Sequence, residues 1–493
     1  MLRARRPDLP DAVGVTVVLD GIDALPPRAG WRVEASIPSH VQAFIPYGDL
    51  ADAASLPGVV AVRFPFRARA KSITTEGYDE VMTVDWRAAG IDGTGVKVGI
   101  IDVGFAGWED VAEELGPAVD EDRFQGSTGG SAHGVAVAEV IHDFAPSAEL
   151  FVASFSTDVE YGQALQAMLD NDVDVINGSV GFDNVWHADG SSAPTSYVDQ
   201  AVANDVIYVA AAGNENDKYR VGALAEASDG VVSIAGMVDV LCSSPSGFPH
   251  VSFRWSEPFG EAKQDLDLVL LNEDGSECGR SESTQAGSDY PFEEVSASGC
   301  SAEVAVRVLD PNAADLTDLR GYLYCFGGLE RGGWTDTEDL TLPGDNFDAI
   351  TVGAYSMQDD AIAEYSSRGP TNDGRTKPDV VAPTAVSTAT YGPNGFAGSS
   401  ASAPHVAGLA ALWVQANGQA DPAAIKEWIM KGARDLGDEG LDNTFGAGAA
   451  RAGEVPPRDC GCAAANNRRF PATAVVGMLV GWVCSRRTRE WNR

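Results

Sequence analysis

Four polar residues lie far apart in the chain, yet their side chains together suit acyl-transfer chemistry: Asp102, His133, Asn214 and Ser400. Ser400 sits in GSSASAPHVAG, a small-residue turn leading into an apolar helix. A hydroxyl at a helix N-terminus lies beside backbone N–H groups that have no helical acceptor. With a base nearby it can attack a carbonyl, and those N–H groups can stabilise the oxyanion. The stretch also fits a capped core helix, since Ser is a common N-cap. Of the six histidines, His133 opens an apolar helix in SAHGVAVAEVI. His142 ends that helix, where the dipole favours a cation, and reads as structural. His405 follows Pro404 and reads as packing, while His40, His187 and His250 have no supporting context. Asp102 ends GVKVGIID, a run apolar enough for a strand buried on both faces. Functional groups gather at the carboxyl ends of such strands, although an Asp there can simply cap a loop. Asn214 follows a strand and Gly213; it is a turn residue unless it faces the serine.

The surrounding pattern says how these residues are positioned. Strand-like runs at 95–102, 149–155, 174–180 and 206–212 alternate with helical runs at 161–169 and 196–204. The alternation resumes at 348–355 and 377–383, before the helix at Ser400 and another at 422–433. This is an α/β fold with a mainly parallel central sheet. Between 215 and 342 helical periodicity fades into short strands divided by turns, which reads as an inserted β-sandwich. Residues 1–75 read as a small α/β unit with one helix at 49–56, and 67–84 as a looser segment. The expected organisation is a unit at 1–75, a main domain at 76–214 and 343–450, a sandwich at 215–342, and a tail at 451–493.

The chain has 493 residues and a formal charge of −38, from 72 acidic and 34 basic residues. That balance argues against nucleic acid as the main partner. No signal peptide is visible: the apolar run at 15–19 is too short for one, so the protein is intracellular or its start lies upstream. At the other end, Cys460-Gly461-Cys462 precedes fifteen uncharged residues (470–484) and a basic terminus. That stretch is short for a membrane-spanning helix, and the basic flank suits a membrane-retained tail. Of seven cysteines, Cys242, Cys278, Cys300 and Cys325 fall in the sandwich region.

The chain order acid, base, nucleophile is the order found in subtilisin. Here the sequence resembles the subtilases, the subtilisin-like serine peptidases. The carrying motifs are GIIDVGF, SAHGVAVAEVI, NGSVG, AAAGN and SSRGPTNDGRTKPDVVAP running to GSSASAPHVAG. The resemblance implies a three-layer subtilisin-like fold, with Ser400 as nucleophile, His133 as base and Asp102 as its orienting acid. It implies Asn214 as oxyanion donor, and Ser179, Val180 and Gly181 as the strand that pairs with substrate and lines the specificity pocket. Val103, Val135 and Ser399 stand where the family often has Thr, and none of these removes a functional group. The inserted region resembles the β-sandwich of some secreted bacterial subtilases, the N-terminal unit stands where an inhibitory propeptide does, and the tail resembles MYXO-CTERM sorting signals. The expected protein is an exported, monomeric endopeptidase acting on polypeptides and held at a membrane or cell surface by its tail. It needs no cofactor, and structural calcium is compatible with it. The alternative is a catalytically silent surface binding or adhesion protein on the same fold. Export would allow disulfides in the sandwich; four cysteines allow three pairings, and Cys278 with Cys300 is favoured because they flank one loop.

Overall fold

The structure, a computed structural model, describes residues 12–19, 25–37, 40–63, 74–115, 130–228, 230–312, 314–330 and 332–454. They fall into two compact units, one preceding Thr74 and one starting there. The first is a four-stranded antiparallel sheet in the order Arg32–Ile37, His40–Pro46, Ala12–Leu19, Val59–Arg63. Val15, Val17, Val41, Ile45 and Ala53 form its core, the last from the short helix Leu50–Ala54.

The second unit is built on a six-stranded sheet. Its order is Val380–Pro383, Ile350–Tyr355, Ile207–Ala211, Val175–Gly178, Lys97–Asp102, Glu149–Ser154. Every neighbouring pair is parallel. The strands are as apolar as burial on both faces demands: Ile350–Tyr355 and Val175–Gly178 are buried at every residue. Thr157 caps the helix Asp158–Asp170, its hydroxyl accepting from Glu160 N–H at 3.2 Å.

Two helices cover the face that matters for the site, His133–Phe144 and Ser399–Asn417. The second is buried on nearly every side, and small residues let it approach its neighbours. At Gly408 a Cβ would lie 2.5 Å from Phe144 Cβ, so the helix pair needs glycine there. The sequence places a turn and a packing segment ahead of this helix. The structure instead starts the helix at Ser399 and carries it through Pro404. Proline lacks the N–H that would bond the carbonyl four residues back, which is that of Ser400. Ser179 Oγ supplies the missing donor, 3.0 Å from Ser400 O.

The segment expected to be loose is held from residue 74 onward. Glu76 accepts from Ser387 N–H at 2.8 Å and from its hydroxyl at 2.6 Å, and Gly77–Val81 is helical. Residues 67–73 of that expectation lie outside the described residues.

Between Ile207–Ala211 and Ile350–Tyr355 the described residues form nine antiparallel strands. The long strand Tyr219–Ser228 pairs with Arg320–Cys325 through its first half and with Val231–Ile234 through its second, joining two layers. Val251, Phe253, Trp255, Leu268, Val306 and Leu323 fill the space between them. Cys242 is bonded to Cys325 inside this core, and Cys278 to Cys300 at its rim. Among the described residues no helix is long and apolar enough to cross a membrane. Residues 455–493, which include the expected anchoring stretch, lie outside the described residues.

His405 is packed in the core, fully buried. Its Nδ1 donates to Ala401 O at 2.8 Å, and Nε2 stands 3.2 Å from the Thr75 hydroxyl as acceptor. Burial pushes its pKa down to about 4. The unfolded chain protonates this ring near pH 6.5, so the folded state binds fewer protons below that pH and loses stability as pH falls toward 4. Urea unfolding at pH 7 and pH 5 should show a loss smaller by about 1–2 kcal/mol in His405→Gln than in the native chain. Equal pH dependence in the two proteins would contradict a buried neutral ring.

Candidate active site

Asp102 closes the strand Lys97–Asp102. The sheet order reverses between this strand and Val175–Gly178, so the crevice at their carboxyl ends is a topological switch point. The Asp102 side chain is wholly buried, with its oxygens 2.9 and 2.8 Å from His133 Nδ1. It also accepts from Val103 N–H at 2.8 Å. A carboxylate can only accept, so Nδ1 carries a proton toward Asp102; in the neutral ring that tautomer leaves the lone pair on Nε2. His133 is the first residue of its helix, with its side chain 20% exposed. Two backbone bonds fix it relative to Asp102: Ala106 N–H to Ser131 O at 2.9 Å and Gly134 N–H to Gly104 O at 3.0 Å. The Phe396 ring meets the imidazole edge-on at 5.5 Å.

Ser400 is the second residue of the helix Ser399–Asn417, where a backbone N–H has no helical acceptor. Gly398 precedes the helix at φ 117°, ψ 165°, a conformation open to glycine. Its N–H donates to Thr384 Oγ1 at 2.8 Å. Asn214 lies against this turn. Its Oδ1 accepts from Ser399 N–H at 2.8 Å and from the Ser399 hydroxyl at 3.2 Å. Those two bonds set the amide plane and leave Nδ2 toward Gly398, 3.1 Å from where a Cβ would stand.

Ser179 meets Ser400 through a reciprocal pair. Ser400 Oγ donates to Ser179 O at 2.7 Å, and Ser179 Oγ donates to Ser400 O. Asn177 Nδ2 donates to Ser179 Oγ at 2.8 Å. Val180 and Gly181, half-exposed, continue from this contact. The Ser400 hydroxyl therefore rests on Ser179 O in this structure, and not on His133. Rotation about its χ1 is the motion that would release it.

Several contributors carried no sequence signal of their own. Phe396 comes from the hairpin Val386–Thr388 and Gly392–Phe396, and Thr384 and Asn177 act through contacts that no spacing shows. His142 does not behave as its position suggests: burial, and then the charge of Arg87, hold its pKa down, against the helix dipole. Among the described residues, Glu114, His142 and Asp143 are the group that could hold a metal, with ligand atoms within 4.8 Å of one another. Thr75 N–H already occupies one Asp143 oxygen at 2.6 Å.

With this geometry in hand, comparison with known proteins is direct. The sequence profile of the Subtilase family matches residues 93–310 and 330–448, more than half of the chain. The chain belongs to the subtilase family. It is 34% identical over 160 residues to serine protease AprX of Bacillus subtilis, covering 28% of this chain and 36% of AprX. It is 35% identical over 102 residues to a subtilisin-like protease of Solanum lycopersicum, covering 17% of this chain and 13% of that protein. The aligned part thus spans well under half of either relative. The structure of the Clostridium perfringens CspB protease shares the fold, with a TM-score of 0.56 at 16% identity, covering 74% of this chain and 93% of that one.

The Gly398 turn is a sensitive backbone position of this subtilase site, at positive φ with the Asn214 amide close by. Gly398→Ala forces a side chain into a conformation costing about 1–3 kcal/mol and toward the Asn214 amide. Its melting temperature should fall, and the Ser399–Asn214 contact should break in a crystal structure. An unchanged melting temperature with the contact intact would contradict this account of the turn.

Proposed function

We propose that the chain is a serine endopeptidase that cleaves polypeptides through an acyl-enzyme. The buried Asp102–His133 pair carries this reading, since it sits at the carboxyl end of a strand whose neighbour, Val175–Gly178, leads to the Ser179 that holds Ser400. In this reading Nε2 takes the Ser400 proton as Oγ attacks the scissile carbonyl. The same nitrogen then returns the proton to the leaving amine. Asp102 holds the ring in one tautomer and stabilises its charged form. The oxyanion is met by Asn214 Nδ2 and Ser400 N–H, both aimed before reaction. Ser179, Val180 and Gly181 pair with the substrate backbone and line the pocket beside the scissile bond. Water then attacks the acyl carbon, giving its proton to Nε2, which returns it to Ser400 Oγ as the acid product leaves, and no cofactor is required.

Further parts of the proposal concern the rest of the chain. Residues 1–75 act as a propeptide, 76–214 and 343–450 as the catalytic domain, 215–342 as an inserted sandwich, and 451–493 as a sorting tail on an exported monomer. The rival is a silent subtilase serving as a surface binding protein. It draws support from the Ser400 hydroxyl resting on Ser179 O.

Turnover of a quenched peptide library separates the two. Ser400→Ala and His133→Ala should abolish cleavage with little change in melting temperature, whereas no cleavage by the native chain favours the silent reading. Asn214→Leu should lower kcat by on the order of 10²–10³ with KM little changed, the scale for one lost oxyanion donor. A kcat within about threefold of native would mean that Asn214 does not contact the transition state.

A further inference from the structure

The hairpin Val386–Thr388 and Gly392–Phe396 lies beside the proposed base, and its two strands pair only with each other among the described residues. A two-stranded hairpin by itself is marginal in water, so other contacts must set its position. Its second strand ends at Phe396, a buried ring that meets the His133 imidazole edge-on at 5.5 Å and stacks on Tyr391 at 5.5 Å. Just beyond Phe396 the chain reaches Gly398 and the turn that bears Ser400. Where the hairpin sits therefore decides what packs on the base and how the nucleophile's turn is approached.

Glu139 grips this hairpin and has no part in the mechanism above. It lies on the helix His133–Phe144, whose first residue is the base, and it is 1% exposed. Its Oε2 accepts from Ala389 N–H. Its Oε1 accepts from Thr390 N–H at 3.1 Å and from the Thr390 hydroxyl. Ala389 and Thr390 belong to the turn between the two strands. Both oxygens of a carboxylate withdrawn from water are thus given to the hairpin, in bonds of the stronger, charge-assisted kind. Glu76 holds the first strand through Ser387, whose hydroxyl also accepts from Asn394 N–H at 2.9 Å. Glu139 differs from Glu76 in that its own helix carries His133.

We propose that Glu139 is a positioning residue of this site: through the hairpin it holds Phe396 against His133 and ties the helix of the base to the turn of the nucleophile. Its effect on rate rests on the peptidase reading above, to which it adds a residue that touches neither substrate nor reacting atoms. Without the carboxylate the turn loses three bonds at once, the hairpin shifts, and the imidazole loses the ring packed against it. A misplacement of about 1 Å at the reacting groups can cost on the order of 10² in rate.

The test uses the full chain, with peptide turnover and the NMR signals of the His133 ring protons measured well below the melting temperature of each variant. Glu139→Ala should lower kcat by about tenfold or more and change KM much less. Phe396→Leu should lower kcat as well. The double variant should fall no more than about twofold below the weaker single one, because both act by one route. Thr390→Val removes one of the three bonds and should give a smaller loss in the same direction; it carries the test if Glu139→Ala does not fold. In each hairpin variant the His133 ring signals should move toward their positions in Phe396→Leu, a change that a merely structural acid would not produce. A kcat within about twofold of native in folded Glu139→Ala, losses that multiply in the double variant, or unmoved His133 signals would overturn the inference. Absence of both cleavage and fluorophosphonate labelling in the native chain would sink the peptidase reading; the ring signals would then still decide whether Glu139 places His133.

Discussion

A carboxylate buried to zero exposure is costly unless every strong acceptor site is answered, and Asp102 sets that demand at the carboxyl end of its strand. His133 Nδ1 and Val103 N–H answer it. The consequences spread outward. The helix His133–Phe144 must start where its first side chain reaches the strand end, so the chain between them returns to bond its own loop at Gly104 and Ala106. That helix then fixes where Ser399–Asn417 can lie, since Gly408 packs on Phe144.

The second constraint is a missing donor. Pro404 removes one helical bond, and the carbonyl left over belongs to Ser400. Ser179 Oγ fills the gap and Ser179 O accepts a hydrogen bond from the Ser400 hydroxyl in return, tying the carboxyl end of Val175–Gly178 to the helix start. Asn214 does the same from the end of Ile207–Ala211 by accepting from Ser399. Three strand ends and two helix starts thus converge because each leaves polar groups that another satisfies.

Much of this was legible in the sequence. Continuous apolar runs marked the parallel strands, since burial on both faces leaves no room for alternation. The α/β class and subtilase membership follow from those runs and from motifs that are local in sequence. What stayed hidden is non-local. Nothing in GSSASAPHVAG says that its proline lies inside a helix, because the compensating hydroxyl is at Ser179. The loose reading of 67–84 failed at Thr75 and Glu76, whose partners His405 and Ser387 lie more than three hundred residues away. The charge that the helix end would favour on His142 is opposed by burial and then by Arg87, both of which only tertiary packing supplies.

The central claim is that Ser400, His133 and Asn214 converge on one reacting carbon. The crystal structure of the protein after reaction with a fluorophosphonate tests it most directly. The account predicts phosphorus on Ser400 Oγ, a phosphonyl oxygen within hydrogen-bond reach of both Asn214 Nδ2 and Ser400 N–H, and His133 Nε2 facing Oγ with Nδ1 still on Asp102. Phosphorus on another residue, or its oxygen turned away from Asn214, would contradict it.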